Sequence, residues 1–136
     1  GDTTYNADVS INGDTGVTRF IYDTASTGAG EIDAYISSVN ALSGRHGSVV
    51  ANAANDAYSG RYSVSIVSRS SDSTTKLYVD GALVESVSSG DYVAPTAGAN
   101  IGLGRFTSSL SNLLNGHIKR FTIYDTALTA AEVAQL

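Results

Sequence analysis

The sequence predicts an all-β fold, two antiparallel sheets packed face to face with one short helix at the C-terminal end. Three observations carry this. Apolar and polar residues alternate with the two-residue period of a half-buried strand, as in Tyr5-Asn6-Ala7-Asp8-Val9-Ser10-Ile11. Fourteen glycines, with many Ser, Thr, Asn and Asp residues, supply turns for many short strands. Asp80-Gly81 separates two apolar runs and suits the two positive-φ positions of a type I′ hairpin turn.

The elements follow in order. Thr4 to Ile11 is a first strand, ended by Gly13-Asp14-Thr15-Gly16, and Thr18 to Tyr22 is the next. After a loop from Thr24 to Gly30, Glu31 to Ser37 places Ile32, Ala34 and Ile36 on one face. Gly44 to Gly60 is irregular, with Val49 to Ala51 as its one short strand. From Arg61 the period returns in Tyr62, Val64 and Ile66, and Ser68 to Ser73 reads as a turn. Thr75 to Val79 and Ala82 to Val87 form an exposed hairpin, and Asn100 to Gly104 is a short strand between glycines. In Gly116 to Asp125 the inward residues are Ile118, Phe121 and Ile123. Because Ile118 and Phe121 are three apart, a bulge at Lys119-Arg120 is needed to hold them on one face. Thr129-Ala130-Ala131-Glu132 is a capping box, which starts a helix at about Ala130 with Val133 and Leu136 as its apolar stripe. Leu77, Val79, Ile118, Phe121 and Ile123 are expected in the core, with Tyr62, Tyr78 and Tyr124 in or near it.

Composition narrows the function. At 136 residues with no linker, 1–136 reads as a single domain. The absence of Cys removes disulfides, thiolate metal sites and cysteine nucleophiles, and two histidines make a poor zinc enzyme. A net charge of -5, with eight Lys and Arg spread along the chain, argues against nucleic acid as a partner. No apolar run approaches the roughly 18 residues of a membrane span, so no membrane insertion is expected.

Two blocks carry a family resemblance. Thr75-Lys76-Leu77-Tyr78-Val79-Asp80-Gly81-Ala82-Leu83-Val84 resembles the hairpin of the laminin-G-like, concanavalin A-like jelly-roll family. Asn100-Ile101-Gly102-Leu103-Gly104, then Leu114-Asn115-Gly116-His117-Ile118-Lys119-Arg120-Phe121-Thr122-Ile123-Tyr124, then Ala127 to Glu132, resembles its closing strand and terminal helix. The match runs from about Arg61 to Leu136. Lys119 departs from it, since many members carry an acid just after that isoleucine. The Asn-Gly-His-Ile-Lys-Arg run is similar to domains at the C-terminal ends of bacteriophage and prophage structural proteins. The resemblance implies a jelly-roll sandwich that serves as a carbohydrate- or receptor-binding module of a virion, located on the virion or outside the cell; for want of paired acids it is not expected to be an enzyme. Its implied partners are a glycan or cell-surface receptor, other virion proteins and further copies of the chain. The alternatives are a purely structural decoration or assembly domain, and a carbohydrate-binding module of a secreted glycan-degrading enzyme.

The residues themselves offer little catalysis. Glu31-Ile32-Asp33 is similar to the catalytic strand of laminarinase-type glycosidases, but Tyr35 and Ile36 stand where a further acid is needed, and retention requires two carboxyls about 5 Å apart. Glu31 and Asp33 are therefore expected to be a solvated face. His46 reads as a loop residue and His117 as a surface strand residue; neither sits in a triad motif. Calcium is the one cofactor admitted, through Asp14, Asp23, Asn52, Asn55, Asp56, Asp91 and Asn100, although these form no contiguous loop. Sugars present an apolar C–H face and a rim of hydroxyls, which aromatic rings with planar hydrogen-bonding groups recognise. Arg45, His46, Asn52, Asn55, Tyr58 and Arg105 are the ligand-binding candidates, with Tyr35 and Tyr92 behind them. The longest irregular segments, Thr24 to Gly30, Gly44 to Asp56 and Arg105 to Asn112, carry Arg45, His46, Asn52, Asn55 and Arg105 and are expected to cluster at one edge of the sandwich. Two arginines brought together there would favour an acidic glycan.

Overall fold

The computed structural model describes residues 2–12, 17–24, 30–38, 41–47, 49–52, 59–88, 100–107 and 112–136. Ten strands build two five-stranded sheets. β1 (Thr3–Ile11), β6 (Gly60–Arg69), β7 (Thr74–Val79), β8 (Ala82–Ser88) and β10 (Gly116–Tyr124) form one, in the order β10-β1-β6-β7-β8. β2 (Arg19–Thr24), β3 (Ile32–Ile36), β4 (Leu42–His46), β5 (Val49–Asn52) and β9 (Ile101–Leu103) form the other, in the order β5-β4-β3-β2-β9. All the pairings are antiparallel. The two inner faces supply one core, in which Ala7, Ile21, Tyr22, Ile32, Ala34, Leu42, Val64, Ile66 and Leu77 have no exposed surface.

Three local expectations hold for the reasons that suggested them. Asp80 and Gly81 have φ of 51° and 79°, the paired positive values of a type I′ turn. In the β1–β10 ladder Asp8 faces Arg120 while Val9 faces Ile118, so Lys119 is the extra residue of a bulge. Thr129 and Glu132 make a reciprocal capping box on α1 (Ala130–Val133), which is a single turn rather than a helix reaching the chain end. α1 lies on the outer face of the first sheet, with Val133 buried against Val67 and Tyr78.

Other expectations are corrected. Residues 42–46 form β4, which runs into the start of the segment read as irregular. Its inward positions are Leu42, Gly44 and His46, and a Cβ on Gly44 would lie 2.8 Å from Ile66 Cδ1. The strand hides its period because its middle inward residue must have no side chain. Ile123 pairs with Tyr5, which points to the core, yet it is 44% exposed because β10 is an edge strand. Val79, Ile118 and Phe121 are half-buried against the core rather than within it. The β7–β8 hairpin is not wholly free either, since a Cβ on Gly81 would lie 2.9 Å from Ala134 Cα.

Candidate functional site

The register of the second sheet lays two rows of side chains across its outer face. One row runs Phe20, Tyr35, Ser43 and Asn52 on β2 to β5. The next runs Asp23, Asp33 and Arg45 on β2, β3 and β4. A bulge at Ile21 keeps Phe20 and Asp23 on the same side of β2. Gly102 of β9 continues the second row beside Asp23.

Arg45 is the centre of the ionic row. Its Nε donates to Asp33 Oδ1 and Oδ2 at 3.2 and 3.0 Å, and its Nη2 donates to Asp33 Oδ2. The same Nη2 lies 2.8 Å from Glu31 Oε1. Asp23 is anchored from the chain that follows β9. The Thr107 N–H donates to Asp23 Oδ2 at 2.6 Å, and the Thr107 hydroxyl donates to the Asp23 carbonyl at 2.7 Å. Gly102 leaves the room for this crossing, because a Cβ there would lie 2.7 Å from Thr107 Oγ1 and 3.3 Å from Arg105 Cγ. Phe106 comes down beside Phe20, with ring centroids 5.0 Å apart, and Phe20 touches Tyr35 at 5.4 Å.

Asp33 has no exposed surface, and Glu31 is partly buried, so the expected solvated acidic face is a buried network. Burial pushes the Asp33 carboxyl up to about 7; the Arg45 contacts pull it down, and the neighbouring Glu31 and Asp23 charges push it up. Burial also raises Glu31, with Arg45 opposing. Burial works to lower Arg45, but its contacts with Asp33 and Glu31 hold it above the ordinary arginine value. Asp23, Glu31 and Asp33 each bring a carboxylate oxygen within 4.8 Å of the others, about the span of two oxygens opposed across a calcium ion. Asp23 Oδ1 is buried without a hydrogen-bond partner, while the other two acids already share the guanidinium.

The candidates read from the sequence separate on this frame. Arg45 and Asn52 are on the outer face, in strands rather than loops, and Asn52 Oδ1 accepts from the Ser43 hydroxyl at 2.6 Å. Arg105 lies over Gly102, at the other end of the ionic row from Arg45. His46 is turned inward and 4% exposed, with Nδ1 2.8 Å from Ser68 Oγ, so it is a core residue and not a loop ligand. Asn55 and Tyr58 lie outside the described residues, as do Asp14, Asp56, Asp91 and Tyr92. Asp23 was named as a possible calcium ligand and does join the acidic cluster, while Phe20, Phe106 and Thr107 were missed, since only the cross-strand register and the return of the chain after β9 bring them here. Glu31-x-Asp33 was visible, but its partner Arg45 was not.

The comparisons with known proteins agree on the architecture. A family model described as the concanavalin A-like lectin/glucanases superfamily matches residues 1–134. No curated protein sequence matches the chain. Among solved structures, the chain is similar to the Ruminococcus gnavus IT-sialidase CBM40 bound to α2,3-sialyllactose, with a TM-score of 0.80 at 12% identity over 98% of this chain and 81% of that one. It is similar to the NanB sialidase of Streptococcus pneumoniae, with a TM-score of 0.81 at 14% identity over 99% of this chain, which spans 24% of that protein. It is also similar to a heptameric SAP-like pentraxin from Limulus polyphemus, with a TM-score of 0.75 at 16% identity over 98% and 68% of the two chains.

Proposed function

We propose that this chain, which belongs to the concanavalin A-like lectin/glucanase superfamily, is a non-catalytic carbohydrate-binding module. The observation that carries the reading is the outer face of β5-β4-β3-β2-β9. There the partly exposed Tyr35 and Phe106 rings stand beside a fixed row of carboxylates with Arg45 at one end and Arg105 at the other. An aromatic ring offers a surface for the C–H face of a sugar, and Glu31 and Asn52 offer acceptors and donors for its hydroxyls. Arg45 is neutralised by Asp33 and Glu31. Two acids on that guanidinium, with the Asp23 carboxyl beside them, therefore favour a neutral, hydroxyl-rich glycan at this cluster over an acidic one.

The same geometry argues against hydrolysis. A carboxyl titrating near 7 would suit a general acid, but Asp33 is fully buried with its oxygens on Arg45. Glu31 shares that guanidinium, and Asp23 is buried with Oδ2 on the Thr107 N–H, so among the described residues of this face no second carboxyl is both exposed and free to act as a nucleophile. We read the module as a virion or extracellular domain, from the resemblance of its closing strand to bacteriophage structural proteins. Its similarity to sialidase chains of which it spans about a quarter favours a second reading, a module carried by a glycan-degrading enzyme.

The test is a glycan array followed by titration calorimetry, run with and without calcium. A neutral oligosaccharide is expected to bind, Tyr35→Ala and Glu31→Gln are expected to weaken it at least tenfold, and no reducing sugar should be released. If no glycan binds in either condition, the structural decoration reading replaces this one.

A further inference from the structure

We infer that the opposite face of the sandwich carries a second binding site, a pocket for a small carboxylated sugar at the end of the β10-β1-β6 sheet. The inference rests on the carbohydrate reading for the sugar alone; the anion specificity stands on the pocket itself. A cavity of about 430 Å³ opens there, a volume typical of small-molecule sites. The register explains its lining. His117, Ser10 and Arg61 form one row across β10, β1 and β6, and Asp8 and Ser63 form the next. Lys119, the extra residue of the β10 bulge, joins the same cavity. All of these are outer-face positions, since Val9 and Ile11 between them point into the core.

The walls are held in place. The β7–β8 turn is pinned to β6 by the Ser63 N–H, which donates to Asp80 Oδ1 at 2.8 Å, and by the Asp80 N–H, which donates to the Ser63 carbonyl at 2.8 Å. On the other side Arg120 is fixed between Asp8, at 3.0 Å, and the Leu136 carbonyl, at 3.1 Å. The cavity is thus bounded by a rigid turn and an ion pair rather than by free loops.

Its charge sets it apart. The protein carries -5 overall, with eight Lys and Arg, yet Arg61, Lys119 and Arg120 all belong to this corner. Arg120 cancels Asp8, and Asp80 offsets only one of the two remaining cations. The side chains of Arg61, Lys119 and His117 make no ion pair or hydrogen bond among the described residues. Arg45 on the other face is the reverse case, a cation already shared by two acids. An anion therefore finds here two cations that, among the described residues, no acid pairs. Arg61 and His117 stand two strand spacings apart, about 10 Å at the backbone, so long side chains from both flanks can close on a single carboxylate. The Ser10 and Ser63 hydroxyls on the floor and the second oxygen of Asp80 then face the ligand's hydroxyls.

Sodium glucuronate, with glucose and inorganic phosphate as controls, is the probe, followed by amide chemical shifts on the intact chain. Glucuronate is expected to shift the amides of Ser10, Arg61, Ser63, His117 and Lys119 in a saturable way, with glucose at least tenfold weaker. The Arg61→Ala/Lys119→Ala double variant should lose the response at least tenfold while its other amide shifts stay as in wild type, and Tyr35→Ala should leave it unchanged. Absence of glucuronate shifts at these amides, or binding by the double variant within twofold of wild type, would overturn the site. Phosphate displacing glucuronate at equal concentration would overturn the sugar assignment. Glucuronate bound here with no neutral glycan bound anywhere would instead overturn the reading of the Tyr35 face and leave this pocket standing.

Discussion

Replacing Asp33 by asparagine is expected to remove a pH-dependent loss of stability from the fold. Asp33 is completely buried and its carboxyl is pushed up to about 7, against an ordinary value of 3.8. Between those values the folded protein holds a proton that the open chain has already released. Stability therefore falls as pH rises from about 4 to about 7 and is level above that window. Each tenfold change in proton affinity is worth about 1.4 kcal/mol, so the loss attributable to Asp33 is at most about 4 kcal/mol. Burial of Glu31 acts in the same direction. Asparagine has nearly the same shape and cannot ionise, so the variant should gain on wild type as pH rises. Urea unfolding of both proteins at half-unit steps from pH 4 to 8 reads this directly as the difference between their extrapolated stabilities. Curves that stay parallel within about 0.5 kcal/mol would refute the reasoning. They would mean that the Arg45 contacts outweigh burial and keep Asp33 ionised throughout.

Two further outcomes follow from packing and charge. Gly44→Ala would put a methyl 2.8 Å from Ile66 Cδ1 and Cγ1 and 3.4 Å from Leu77 Cδ1; overpacking of this kind costs about 1–3 kcal/mol, and a melting temperature equal to wild type would show that Ile66 can swing aside. Calcium at millimolar concentration should leave the wild-type melting temperature unchanged, because the Arg45 guanidinium already bridges Glu31 and Asp33. In Arg45→Ala the three carboxylates of Asp23, Glu31 and Asp33 face one another unopposed, and calcium should raise the melting temperature by several degrees, reversibly with a chelator. A calcium-dependent rise in the wild type would show that the cation and the guanidinium share the cluster.

The elements legible in the sequence are those whose cause is local. A type I′ turn needs two residues able to take positive φ, and Asp80-Gly81 are adjacent. The bulge follows from three apolar residues out of phase by one, and the capping box from two side chains three apart. β4 has no such signature. Of its inward residues only Leu42 is apolar. Gly44 is there because Ile66, twenty-two residues away, fills its space, and His46 is tolerated because Ser68 bonds its ring. Each explanation lies on β6, in the other sheet, and none can be read within a window of the strand itself.

The same non-locality decides how the charged residues should be read. Arg45 and Arg61 look alike in the sequence, each a lone arginine in a stretch rich in glycine and serine. Pairing of β3 with β4 sets Asp33 directly across from Arg45, and Glu31 reaches the same guanidinium, so that arginine orders the face rather than attracting an anion. Pairing of β6 with β1 sets Ser10 across from Arg61, and Ser10 carries no charge. A count of cations would send an acidic ligand to either face. The strand register sends it to the side on which the arginine has no acid opposite it, and leaves the Tyr35 face to neutral hydroxyls.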